Sequence, residues 1–434
     1  MTSKIVVNNI ESDSGIGSVT FTSDIELGTK NLKGHNLEST GIVTATSFSG
    51  SGASLTSLPA GNLTGTLPAI DGSNLTGVGA SFGNSSVNTS GIITATAFVS
   101  SQGQLSHRNI IINGAMTLAQ RGSSSTSDGF HTVDRFAKDE SGTDESLTQA
   151  QVDVASGTTP YTLGFRKAFK LTNGNQTSGA GSADRATAEY KIEAQDIANS
   201  GWNYLSSSSY ITFSYWVKSS VAQNFYNTFG TDDGTKQRYT TETGSLTADT
   251  WTKITKTIPG NSNLTFNNDN GEGLEITWEI YRGTSQTGSM SLNAWAASNN
   301  NLRTPDQTST WWTTNDATFE ITGVQLEVGP VATPFEHRKF SEQLLLCQRY
   351  YRVISDSSED GNGYVGYTSY NYDVNSVVTQ VNFIPEMRAT PTIASTSGTN
   401  YYRYYRNSGY VDINAMNAIN GMGRKGGAFN NSDS

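Results

Sequence analysis

The chain has 434 residues, a formal net charge of −10 and only 15% charged side chains, against about 25% in an average soluble domain. That balance argues against a nucleic-acid partner, because phosphate binding needs a cationic surface. No run of 18 apolar residues codes a membrane helix, Met1–Asn9 lacks the pattern of a secretory signal, and the single cysteine, Cys347, excludes an intrachain disulfide framework and a cysteine-built zinc site.

Residues 1–38 open with two short predicted strands, Lys4–Asn9 (KIVVNN) and Ser18–Ser23 (SVTFTS), parted by the turn-prone Ser12–Gly17. This unit reads as a cap or attachment module. Residues 39–104 are different. Of the 65 residues from Thr40 to Gln104, 37 are Ser, Thr, Asn or Gly, and the one charge is Asp71. The segment also repeats. TGIVTATSF at Thr40–Phe48 returns as SGIITATAF at Ser90–Phe98, and GNLTG at Gly61–Gly65 as SNLTG at Ser73–Gly77. Repetition with small residues marks an elongated, quasi-one-dimensional structure. One such thread has too few large apolar groups to bury a core alone. Three parallel copies around an axis lined by Ile42, Phe48, Leu63, Leu75, Ile92 and Phe98 would bury them and leave the hydroxyls outside.

Residues 105–338 hold most of the large apolar side chains. Tyr210–Lys218 (YITFSYWVK) alternates, with Tyr210, Thr212, Ser214 and Trp216 on one face and Ile211, Phe213, Tyr215 and Val217 on the other. Trp251–Ile258, Leu274–Tyr281 and Phe319–Leu326 alternate as well. Many short alternating strands with Gly, Asn, Ser and Asp turns predict a β-sandwich or jelly roll. Ile192–Ala198 reads as a short helix or an irregular turn. Trp216, Trp251 and Trp278 fall inside strands and are expected in the core. Trp295, Trp311 and Trp312 flank the polar Ala296–Thr310, which reads as an exposed loop. A tryptophan there offers a flat apolar face for a sugar ring, with Asn and Asp nearby for its hydroxyls; the plainer reading is that one or two of them cover the sandwich edge.

Residues 337–353 form the best predicted helix, with Phe340, Leu344, Cys347 and Tyr351 on one face and Ser341 as a plausible N-cap. Residues 339–353 are thus a helical linker to a β-rich terminal domain, 354–434. Eleven of the 19 tyrosines lie between Tyr350 and Tyr410. The run YYRYYR, with Tyr401, Tyr402, Tyr404 and Tyr405, suits a sugar or protein receptor and equally a trimer axis. The adjacent carboxylates Asp139-Glu140 and Asp232-Asp233 point to opposite faces of a strand, so neither pair is evidently a glycosidase dyad. His337 reads as an interface or surface residue and Cys347 as a buried, inert thiol. No cofactor is implied, and the sequence leaves a structural Ca²⁺ open.

TGIVTATSFSGSGASLTSL (40–58) resembles the shaft repeats of virion fibre proteins, above all from phages of marine cyanobacteria. NIIINGAMTLAQRG (109–122) with DRF (134–136) resembles the opening of a jelly-roll module of phage tail fibres. ITGVQLEVGPVATPFEHRKFSEQLLLCQRYY (321–351) resembles that module's closing signature, including Phe335–Arg338 and Cys347–Tyr351. The resemblance implies an all-β, elongated trimeric fibre: a repetitive shaft, a carbohydrate-binding-like jelly-roll body and a C-terminal β-rich tip joined by a short helix. It implies a virion location, docking on a phage tail or baseplate protein through the N-terminus. It also implies adsorption to a host surface glycan such as lipopolysaccharide, or to an outer-membrane protein. The alternatives are a fibre that decorates the capsid or baseplate without a receptor, and a tailspike polysaccharide depolymerase. The expectation is a non-enzyme, since a depolymerase usually needs long β-helix repeats with carboxylates in a groove.

Overall fold

Strand parity decides which side chains meet. In β6 (Tyr210–Ser219) the odd-numbered Ile211, Phe213, Tyr215 and Val217 are all buried, as the alternation predicts. The computed structural model describes residues 40–44, 46, 107–354, 369–371, 377–406, 409–418 and 422–431. The chain divides into two compact units, Met1–Ile93 and Thr94–Ser434. In the first, the strands predicted for residues 1–38 and the axis residues Phe48, Leu63, Leu75 and Ile92 lie outside the described residues, as does Phe98. Ile42 is described, and it is 95% exposed in the single chain.

Residues 107–338 form two six-stranded antiparallel sheets packed face to face. The first runs β1 (Ser124–Ser125), β3 (Thr148–Asp153), β4 (Lys167–Thr172), β12 (Thr318–Val328), β6, β9 (Thr252–Pro259). The second runs β11 (Trp295–Ala297), β8 (Gln237–Ser245), β7 (Asn224–Thr231), β10 (Glu272–Arg282), β5 (Arg185–Glu193), β2 (Phe136–Ser141). From β4 onward the chain changes sheet at every step except β7–β8 and β10–β11, as a jelly roll does. All four predicted alternating stretches are strands, and Ile192–Ala198 resolves into the end of β5 and the short helix α2 (Ala194–Ala198).

Aromatic rings fill the space between the sheets. Trp278 lies with its centroid 5.9 Å from Phe136, 5.8 Å from Phe213 and 5.8 Å from Tyr215, tilted or edge-on as ring quadrupoles prefer. Trp278 is in the core as expected. Trp216 and Trp251 are not. Both are half-buried on the outer face of the first sheet, where they meet a satellite cluster of Val154, Phe165 and Ala168. The register of β12 slips between Thr322 and Gln325. Gly323 there has φ +63°, and a Cβ would come within 2.6 Å of the Phe165 ring, so only glycine fits this bulge.

The first and last segments of the sandwich are clasped together. Asn109 Oδ1 accepts from the N–H groups of Ile111 and Leu326, its amide donates to Val324 O, and its own N–H donates to Glu336 Oε2 at 2.9 Å. Arg338 closes the loop by donating to Asn109 O. Asn113 likewise ties Leu118 and Asp134.

Helix α4 spans Phe340–Gln348, shorter than predicted, with Lys339 rather than Ser341 at the N-cap. Phe340 is 63% exposed. The buried face is carried instead by Leu344 and Cys347, packed on Ile112 and Leu118. Burial raises the Cys347 thiol pKa, as an inert cysteine requires. Immediately after α4 comes a polar joint. Arg349 donates to both oxygens of Glu193 at 2.7 Å, Tyr350 OH donates to Glu193 at 2.5 Å, and the Arg135 guanidinium lies 3.5 Å over the Tyr350 ring. Arg349 also holds the terminal region, donating to Glu386 O and accepting from Arg388 N–H.

That region is β-rich, as expected. Four strands pair in the order β13 (Ser369–Asn371), β14 (Val377–Asn382), β18 (Gly426–Asn431), β17 (Met416–Ala418) over a small core of Val381, Phe383 and Met387. β15 (Tyr402–Arg406) and β16 (Gly409–Ile413) form a separate hairpin.

Candidate functional site

β11 is a three-residue edge strand, and its register sets Trp295 opposite Tyr239. Tyr239 points inward, so Trp295 does too, at the edge where the sandwich is open. Its ring centroid lies 5.3 Å from that of Tyr239, and Nε1 donates to Pro259 O of the facing sheet at 2.7 Å. The indole thus bridges the two sheet edges with its polar atom satisfied, and it remains half-buried. Beside it is a shallow pocket of about 390 Å³ lined by Thr235, Gln237, Asn263, Thr265, Trp295, Ala296 and Ala297. The β7–β8 turn, the loop before β10 and β11 supply these residues. None is charged. Hydroxyls and amides around a fixed indole edge can hydrogen-bond and stack a neutral polyol.

The other two predicted stacking residues are displaced from solvent. Trp311 and Trp312 are both 0% exposed. They sit on a four-residue helix, α3 (Thr310–Thr313), that plugs one end of the sandwich. Trp311 Nε1 donates to Thr318 O and Trp312 Nε1 to Gly179 O, while Trp312 packs 5.0 Å from Tyr281. The Asn173 amide donates to the carbonyls of Trp311, Trp312 and Thr314. The loop Ala296–Thr310 is largely exposed, as expected, but the two indoles that close it fold inward, because together they carry too much apolar surface to leave in water.

The tyrosine run is split by its own strand. On β15, Tyr402 and Tyr404 share one face, and Arg403 takes the other. Tyr401 is 52% exposed and meets Tyr402 edge-on at 5.1 Å. Arg403 pairs with Asp412 at 2.7 Å and covers the Tyr410 ring at 3.8 Å. The hairpin that carries these tyrosines is separate from the sheet that carries Trp295.

The outer face of the second sheet carries carboxylates that sequence reasoning missed. Glu189 on β5 and Glu275 and Glu279 on β10 lie there, with Glu275 opposite Lys191 and Glu189 opposite Thr277. Cations tie them down: Lys191 to Glu272 at 2.8 Å and to Glu275 at 3.3 Å, Arg282 to Glu279 at 2.5 Å. The adjacent acids of the sequence are similarly engaged, Asp139 with Arg185, Glu140 with Lys138 and Asp232 with Lys236. Glu189 lacks a direct cation. Burial first, then the charge of Glu275, pushes its pKa up to about 7. A carboxyl raised in the fold contributes stability at low pH that is lost as pH rises from its ordinary value of 4.5 through about 7. Glu189→Gln should therefore leave stability unchanged at pH 4 and raise it by about 2 kcal/mol at pH 8. Urea unfolding at both pH values checks this, and an equal effect at the two would refute it. Among the described residues no group of three or more His, Cys, Asp or Glu is placed to hold a metal ion.

No family model and no curated protein matches the chain. Solved structures do. The enzymatically active domain of tailspike protein 4 of bacteriophage CBA120 is 9% identical over 51% of this chain and 21% of its own, with a TM-score of 0.28. This chain thus spans about a fifth of that protein's length. The N-terminal cellulose-binding domain of Cellulomonas fimi β-1,4-glucanase C is 12% identical over 50% of this chain and 99% of its own, TM-score 0.24. The tandem CBM22 domains of Paenibacillus barcinonensis Xyn10C are 8% identical over 78% and 92%, TM-score 0.24. At such scores these likenesses carry no argument about ligand or activity.

Proposed function

We propose that the chain is a non-catalytic glycan-binding fibre protein of a phage virion, with its sandwich binding a neutral sugar at the Trp295 pocket. The observation that carries this reading is the pocket itself: a half-buried indole, fixed by Tyr239 and Pro259, in an uncharged rim of hydroxyls and amides. The fibre context rests on the shaft repeats and on the opening and closing signatures. In that setting residues 1–38 dock on the tail or baseplate and residues 39–104 form a trimeric shaft that sets the sandwich against the host surface. A single shallow site binds weakly, and three on one trimer raise the effective affinity.

Trp295→Ala in the full chain should cut binding to host cells at least tenfold while lowering stability by about 2–3 kcal/mol, the loss of a half-buried ring and of its hydrogen bond to Pro259 O. Tyr404→Ala with Tyr405→Ala is the parallel arm. Wild-type binding by the Trp295 variant would remove the pocket from the reading. Sustained release of reducing ends from host lipopolysaccharide would overturn the non-catalytic part.

A further inference from the structure

Trp216 and Trp251 share the outer face of the first sheet with a set of lysines. Trp216 on β6 is in register with Lys253 on β9 and Thr322 on β12. One row away, Glu320 on β12 is flanked by Lys218 on β6 and Lys170 on β4, and Trp251 stands beside Lys218 just before β9 begins. The indoles are half-buried because their inner rims rest on the Val154, Phe165 and Ala168 cluster. Their orientation is therefore fixed by packing. Lys218 Nζ lies 5.3 Å from the Trp251 centroid and 3.1 Å from Glu320. Lys170 and Lys253 have no carboxylate partner among the described residues. They lie three strand spacings and one row apart, about 16 Å, which is longer than one sugar ring.

Three ammonium groups thus face outward around one carboxylate in a chain of net charge −10. The nearest further acids in sequence are Asp249 and Asp316, both exposed in turns, and Glu327, which shares the outer face of β12 but is buried and paired with Arg108. Cations that the fold leaves unpaired beside fixed aromatic faces are complementary to a ligand with apolar ring faces and spaced negative charges. We propose that this face binds an acidic polysaccharide, its sugar rings on Trp216 and Trp251 and its anionic substituents on Lys170 and Lys253. The surface is separate from the Trp295 pocket, whose lining is uncharged, and shares with the reading above only the premise of a glycan ligand.

The test is retention of the full chain on immobilised polygalacturonate, dextran sulfate and neutral dextran. Retention on at least one acidic polymer, absent on dextran and released by salt, is expected, and the polymer that retains names carboxylate or sulfate as the substituent. Lys170→Gln with Lys253→Gln should weaken retention about tenfold at unchanged melting temperature. Trp251→Leu, which keeps apolar cover on the cluster but removes the flat face, should weaken it severalfold, and Trp295→Ala should leave it unchanged. No retention on either acidic polymer overturns the proposal. So does wild-type retention by the lysine variant. Full retention by Trp251→Leu reduces the face to ion exchange and overturns it too. Loss in Trp295→Ala alone would place the glycan at the other pocket.

Discussion

Glu193→Ala should separate the terminal β-domain from the sandwich, at a cost of about 3–5 kcal/mol. Glu193 is 2% exposed and is the common acceptor for Arg349, Tyr350 and Gln195. Removing it leaves the phenol without its acceptor and the guanidinium with only the Glu386 carbonyl and the more distant Asp196. The same side chain makes the joint acid-sensitive. Burial opposes ionisation of Glu193, but the hydrogen bonds from Arg349 and Tyr350 outweigh it and hold the pKa below the ordinary 4.5. A carboxyl lowered in the fold contributes stability in full above that ordinary value and loses it as pH falls through the folded pKa. Melting of the wild type should weaken below about pH 4.5 and split into two steps. Glu193→Gln should show the weakened joint at pH 7 and little further loss in acid. A single transition with the same pH dependence in both proteins would show that the joint is not built on this carboxylate.

Trp312→Ala should destabilise the sandwich by about 3–5 kcal/mol, as large aromatic truncations in cores do. It removes the packing on Tyr281 and leaves Gly179 O without its donor. Trp312→Phe keeps most of the volume and loses the hydrogen bond, so about 1–2 kcal/mol is expected. Urea midpoints separate the two. A near-neutral Trp312→Ala would mean that α3 is a surface lid rather than a plug.

Strand parity was readable, and it was more informative about the tryptophans than their mere presence in strands. In β6, Trp216 shares parity with the polar Thr212 and Ser214, the set on the outer face of the sheet, which later segments cover in part. In β9, Ile254 and Ile258 fix the inward parity as even, so Trp251 must face out. In β10, Trp278 keeps company with Leu274, Ile276 and Ile280 and goes in. Trp311 and Trp312 had no such guide. Their burial depends on Asn173, Gln223 and Gly179, contacts 88–139 residues away that no local pattern encodes. The most specific stretches of sequence, 109–122 and 321–351, turn out to be clasp and joint. Asn109, Asn113, Glu336, Arg338 and Arg349 spend their polar atoms on the chain itself. The Trp295 pocket was half legible: the indole stood out, but its rim comes from the β7–β8 turn, the loop before β10 and β11, which only the closed sandwich brings together.

The clasp has a mechanical consequence. The chain enters the sandwich at Asn109 and leaves it at Arg338, and these two residues are hydrogen-bonded to each other. Tension applied to the flanking chain meets that bridge and the Arg349–Glu193 joint first, ahead of most of the 228 residues between the two ends of the clasp. Stretching the chain from its flanks would load clasp and joint before the strand ladders.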